Sequence, residues 1–231
     1  MLTENKDLMA QARASLSGKW GIAVCTTLVF MLILATPAIP GAILFPVFGN
    51  VVVLIIGGPL SLGFIMFFLA LSRGEEVKIE DIFKGFRYFG TALAAYLLVA
   101  VFTLLWMLLL IVPGIIASIS YSQTLYILAD NPELGAMEAI NRSKKMMYGY
   151  KWKYFCLGLR FMGWILLCAI LVGIVGGIAV ALLPHGVGWT TVTCSTMLGF
   201  IGYLWLLPYM QTAFAKFYDD LKANQEGNSA F

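Results

Sequence analysis

Few residues in this chain are of a type that does chemistry. There is one histidine, His185, and there are four cysteines, Cys25, Cys156, Cys168 and Cys194. His185 lies in a Pro-His-Gly turn without a carboxylate near it in sequence. A metal centre takes three or four ligands, so His185 reads as an exposed turn residue. The cysteines form no Cys-x-x-Cys pair and lie in or beside apolar runs, which suits small core residues better than ligands or disulfides. No nucleophile elbow, zinc-protease helix or phosphate loop occurs; Gly57-Gly58-Pro59 lacks the lysine such a loop needs. The pattern implies no catalytic residue, cofactor or metal, and a non-enzymatic protein is expected.

Arg160 stands apart. It lies seven residues past Lys153, about 10 Å further along a helix. An ionisable group within a bilayer marks a ligand or ion site by default. The blander reading, snorkelling of the long side chain back to the interface, is the favoured one. Asp130 and Asp219 are its candidate partners. Two hydroxyl-rich stripes follow the same logic: Ser118, Ser120, Ser122, Gln123 and Thr124, then Thr190, Thr191, Thr193, Ser195 and Thr196. Ser120, Gln123, Thr193 and Thr196 are the candidates there for contact with a ligand or lipid, or for helix packing. Helix–helix hydrogen bonding, at about 1 kcal/mol or less per pair, is the favoured role. Ala169, Gly173 and Gly177 form a small-residue stripe that lets another helix approach closely.

The elements that carry these residues follow from composition. Of 231 residues, 61% are hydrophobic and 12% charged, against roughly 45–50% and about 25% in a soluble domain. Mean hydropathy is +0.89 and the formal net charge is +3. A soluble fold cannot hide that much apolar surface behind so few charges. The same composition excludes a disordered chain, a nucleic-acid binder and a disulfide-stapled secreted domain.

Charge falls in four islands: before residue 20, at 73–87, at 130–153 and after 215, with Arg160 just beyond the third. Each uncharged stretch between islands is about twice the ~20 residues that cross a bilayer, so each goes across and returns. All four islands then share one side, and the positive-inside bias makes it the cytoplasm. The expected spans are 20–36, 51–71, 91–112, 114–129, 155–183 and 188–213. Pro37, Pro40, Gly41, Pro46, Gly49 and Asn50 mark the first external connection, Pro113-Gly114 the second and Pro184-His185-Gly186 the third. A re-entrant hairpin over 91–129 is the alternative for that segment. The first apolar run is too long for a cleaved signal and reads as a retained anchor.

The islands are themselves patterned. Over 134–150, Ala136, Ala139, Ile140, Met146, Met147 and Tyr150 fall on one helical face with Ser143 in its middle, and Glu138, Asn141, Arg142 and Lys145 on the other. Asn131 suits the cap, Pro132 the first helical position and Glu133 the positive helix end. Ile79, Ile82, Phe83 and Phe86 repeat the pattern over 79–89, and Leu8, Ala12 and Leu16 over 4–17. Gly18-Lys19-Trp20, Gly85-Phe86-Arg87 and Gly149-Tyr150-Lys151 end these helices alike, and an apolar hairpin follows each. The chain thus reads as one membrane domain, 1–231, of three helix-plus-hairpin units, 3–72, 79–129 and 132–217, with a flexible tail over 218–231. The amphipathic helices are expected to lie beside anionic head groups, to form a collar under the bundle or to dock a partner. Ile140, Met146, Met147, Arg142 and Lys145 are the candidate interfacial residues.

The runs Tyr126-Ile127-Leu128-Ala129-Asp130-Asn131-Pro132, Glu138-Ala139-Ile140, Ser143-Lys144 and Met146 to Lys151 resemble bacterial membrane proteins grouped as domain of unknown function 975. Arg73-Gly74-Glu75, Leu104 to Ala117, Pro208-Tyr209 and Ala213 to Tyr218 fit as well. The resemblance covers nearly the whole chain. It implies a multi-pass bacterial inner-membrane protein and carries no established activity or site residue. The expectation is an all-α, six-pass protein with a structural, scaffolding or lipid-organising role. Its expected partners are anionic lipids, with a protein partner or a second copy beside them. A small transporter using Arg160 and the hydroxyl stripes is the alternative. The topology is checked by fusions: a reporter active only in the cytoplasm works after residue 19 and after residue 231, and alkaline phosphatase works at the 36–50, Pro113-Gly114 and Pro184-His185-Gly186 connections.

Overall fold

A computed structural model describes residues 3–35, 46–182 and 185–229. Its elements are α1 (Asn5–Leu16), α2 (Trp20–Ala35), α3 (Pro46–Ser72), a 3-10 segment (Ile79–Tyr88), α4 (Phe89–Leu109), α5 (Ile111–Tyr121), α6 (Thr124–Asp130), α7 (Ala136–Met146), α8 (Lys151–Leu182) and α9 (His185–Ser229). The described regular structure is all helical. Five stretches are long and apolar enough to cross a membrane: Gly49–Ser72, Ile79–Leu109, Ile111–Asp130, Lys151–Leu182 and Thr190–Glu226. A sixth arises if α1 and α2, bent by 96° at Ser17–Lys19, count as one span.

Several boundaries differ from expectation. Pro46, Gly49 and Asn50 belong to α3 instead of the external connection, while Pro37, Pro40 and Gly41 lie outside the described residues. The second turn falls at Leu110, which is extended at φ −160° and ψ 140°, and not at Pro113. Proline is tolerated in the first turn of a helix, where its missing N–H would have no intrahelical acceptor. Pro113 therefore starts α5 instead of breaking α4. Pro184 lies outside the described residues, and His185 begins α9. The last helix does not stop at 213. It runs 45 residues to Ser229, about 68 Å, and Tyr218 and Leu221 are buried. The segment expected as a flexible tail is thus a packed helix up to its last turns.

The close-packed core lies at the end of the molecule that carries the charge. Leu8, Leu16, Leu62, Phe67, Phe68, Leu128, Met147, Phe161, Phe217 and Leu221 are all buried there. They come from α1, the second half of α3, α6, the end of α7, the start of α8 and the end of α9. The opposite end is open: Leu108 is 76% and Leu182 78% exposed. Bilayer supplies the missing contacts at such positions, because lipid tails are as apolar as leucine.

Two sequence patterns resolve differently in three dimensions. Of the 79–89 segment, Ile79–Tyr88 is a 3-10 helix, in which residues three apart eclipse. Ile82 and Gly85 share the buried row, while Phe83, Phe86 and Phe89 share an exposed one. The four apolar positions chosen at α-helical spacing therefore do not form one buried face. The 134–150 helix is shorter, Ala136–Met146. Asn131 follows α6 as its terminal cap position and Gly135 precedes α7, so Asn131 does not cap α7. The three helix ends also diverge. Gly18 and Gly149 adopt φ of 77° and 83°, the left-handed region that glycine enters without cost. Gly85 is instead a contact point: a Cβ there would lie 2.0 Å from the Pro59 carbonyl oxygen. A Cβ on Gly63 would lie 1.8 Å from the Ile82 oxygen. The 3-10 segment and α3 thus touch backbone to backbone.

Gly85→Ala should force these backbones apart at the overpacking cost of about 1–3 kcal/mol. The expected result is a lowered thermal midpoint in detergent, read by size-exclusion after heating. Gly90→Ala, where a Cβ meets open space, should leave it unchanged.

Candidate functional site

Three groups of polar residues qualify as sites. The first is an ion cluster where α3, α6 and α9 end together. The Arg73 guanidinium bonds Asp130 through Nη1 at 2.8 Å and Asp219 through Nη2 at 2.7 Å. Lys222 also donates to Asp130, and the Tyr218 hydroxyl donates to the same carboxylate at 3.2 Å. Burial opposes the charge on Arg73, but its bonds to Asp130 and Asp219 outweigh that and hold its pKa above the usual arginine value. Asp130 and Asp219 were the expected partners of Arg160. They pair with Arg73 instead, because the turn after α3 brings Arg73 to the ends of α6 and α9. The adjacent Lys19 ammonium donates to the Gly74 and Glu75 carbonyls at 3.1 and 2.7 Å, fastening the start of α2 beneath the end of α3.

The second group surrounds Arg160. Its Nη1 lies 3.7 Å from the Met9 sulfur on α1, so the side chain reaches back toward the charged end, as the snorkelling reading expects. The Tyr209 hydroxyl of α9 donates to the Met9 carbonyl at 3.2 Å. These contacts border an open cleft of about 580 Å³ between α1, α8 and α9. Lys6, Arg13, Ser17, Arg160 and Tyr209 supply its polar wall. Lys6 and Arg13 come from the α1 face opposite the buried Leu8, Ala12 and Leu16. Sequence reasoning named Arg160 but missed Lys6 and Arg13. The only available signal was the polar side of the 4–17 amphipathic pattern, which does not say what it faces.

The third group comprises the hydroxyl stripes. Thr193 and Thr196 donate to the Thr190 and Val192 carbonyls of their own helix, and Thr190 and Thr191 to Val187. The Ser120 hydroxyl donates to Ile116 and its carbonyl accepts from Ser143 of α7 at 2.7 Å. Gln123 is fully buried, and its backbone N–H donates to the Ser143 hydroxyl at 3.2 Å. Ser143 therefore stitches α7 to the break between α5 and α6. Hydroxyls that bond the preceding turn of their own helix are satisfied without a partner helix.

The remaining candidates lie on α7. Ile140 and Met147 are fully buried and Met146 nearly so. This apolar face turns into the protein, so it is not the face that meets lipid. Arg142 pairs with Glu138 at 2.8 Å on the exposed side. Lys145 borders a separate hollow with Arg142, Tyr218 and Lys222. The cysteines are not core residues as expected: Cys25, Cys168 and Cys194 are free and exposed, and Cys156 is partly so. Among the described residues, no cluster of three or more His, Cys, Asp or Glu residues is arranged to hold a metal ion.

Helical spans that open their apolar side chains outward, over a charged end with a packed core, define a multi-pass helical membrane protein. The chain belongs to the family described as protein of unknown function DUF975, whose model matches residues 1–120 and 107–225. No curated protein and no solved structure matches it.

Arg73→Lys keeps the charge but loses the planar fork that reaches two carboxylates at once. The substitution should lower the thermal midpoint almost as much as Arg73→Gln. Arg142→Gln, at an exposed pair of the kind worth about 0.3–0.5 kcal/mol, should change it little. A fully rescued Arg73→Lys protein would show that charge alone, without the fork, holds the cluster.

Proposed function

We propose that this chain is a non-catalytic protein of the bacterial inner membrane that organises lipid around a cytoplasmic collar. The carrying observation is the distribution of burial. Close packing is concentrated at the charged end, whereas the spans present exposed leucines, isoleucines and tryptophans along α4, α8 and the first half of α9. A protein with this profile takes its lateral contacts from lipid. The collar is built from α1, the 3-10 segment, α6, α7 and the ends of α3 and α9. With both termini on the cytoplasmic side, its basic exposed faces lie against anionic head groups. The buried face of α7 supports a collar and not a helix laid on the bilayer by its apolar side.

The transporter reading rests on Arg160 and the hydroxyl stripes. Apart from Thr124, whose buried hydroxyl has no partner among the described residues, the stripe hydroxyls bond carbonyls of their own helices, and Arg160 reaches out to Met9. These contacts favour the lipid-organising role.

In vesicles of phosphatidylethanolamine and phosphatidylglycerol, the reconstituted protein should hold a motionally restricted shell of spin-labelled lipid. It should pass neither chloride nor phosphate. Solute flux that Arg160→Ala abolishes would overturn the proposal in favour of transport, and the absence of a restricted lipid shell would overturn it outright.

A further inference from the structure

We infer that the cleft between α1, α8 and α9 binds the phosphate of an anionic phospholipid from the leaflet at the charged end. The inference deepens the lipid-organising reading and rests on it, adding a defined site and headgroup chemistry.

The first argument is charge. Lys6, Arg13 and Arg160 line one cleft, and its lining contains no carboxylate. Among the described residues, none of the three forms an ion pair, whereas Arg142 and Lys222, which line the separate hollow beside α7, each face a carboxylate. Gathering three like charges on a shared wall is unfavourable until an anion joins them. Two of the three are arginines, whose planar forks match phosphate oxygens. The Ser17 hydroxyl adds a donor on the same wall. Tyr209 and Met9 bond each other and fix the border between α1 and α9.

The second argument is depth. Trp164 lies one helical turn beyond Arg160 on α8, and Trp205 one turn before Tyr209 on α9. Both are about half exposed, at 55% and 52%. Tryptophans of this kind mark the headgroup level of a bilayer. Past Trp164, exposed Leu166, Leu167 and Ile170 continue the apolar surface along α8. A phosphate held at Arg160 therefore sits where lipid phosphates lie, with acyl chains continuing along an apolar helix. That placement selects a lipid over a soluble anion.

The test is native mass spectrometry of the full chain in mixed micelles of phosphatidylglycerol and phosphatidylcholine. The parent protein should retain phosphatidylglycerol in preference. Arg13→Gln and Arg160→Gln should each lower that retention about fivefold, as expected for a basic residue at a membrane surface, and the pair should lower it further. Arg160→Lys should retain part of the binding. Gly90→Ala, outside the cleft and with its Cβ in open space, should match the parent. Equal retention of the two lipids, or full retention by the double variant, overturns the site. Displacement by millimolar inorganic phosphate also overturns it, assigning the cleft to a free anion. The variants alter exposed side chains, and an unchanged thermal midpoint confirms that they fold. If selectivity is lost while spin-labelled lipid stays restricted, only this site fails; if both are absent, the lipid-organising reading fails with it.

Discussion

Arg73 ties together three helices that are distant in sequence. It leaves α3 just past Ser72 and bonds Asp130 at the end of α6 and Asp219 near the end of α9. These contacts span 57 and 146 residues of sequence. Lys222 and Tyr218 reach the same Asp130. Two carboxylates in a partly buried place need cations with good geometry, and a guanidinium serves both at once. The buried aromatic and aliphatic core of the charged end lies against this cluster. Removing the arginine would leave Asp130 to Lys222 alone and take from Asp219 its cation.

The bilayer imposes the complementary constraint. Within hydrocarbon, backbone groups must bond inside their own segment, so the spans are helices. Helix–helix packing there gains nothing from the hydrophobic effect. The open packing of α4, α8 and the first half of α9 follows, as does the concentration of close packing where water and headgroups begin. The backbone contact between Gly63 and Gly85 and the Ser143 stitch belong to the packed region. They hold the 3-10 segment and α7 against the helix ends. Function is proposed for the same boundary, since the charged cleft and the interfacial tryptophans both occur there.

The membrane class, the approximate spans and the clustering of charge were legible in the chain, because a bilayer crossing needs a long uncharged run whatever surrounds it. The amphipathic face of α7 was legible for the same kind of reason, with Ile140, Ser143, Met146 and Met147 all on its buried side. Arg160 was identifiable as a lone charge at depth. Its surroundings were not, because a polar helix face records only that it avoids the core and not which cleft it lines.

What the sequence by itself determined is therefore whatever depends on local composition and period: helical spans, charged islands and an amphipathic α7. Tertiary structure alone decided the rest. It gave Asp130 and Asp219 to Arg73, extended α9 through the presumed tail, and turned 79–88 into a 3-10 helix with its phenylalanines outward. It also set Lys6 and Arg13 beside Arg160. Each outcome depends on which distant backbone arrives at a given place. Ion pairing, close backbone approach and shared clefts join residues apart in sequence, by 57 and 146 residues at Arg73, and no local pattern records them.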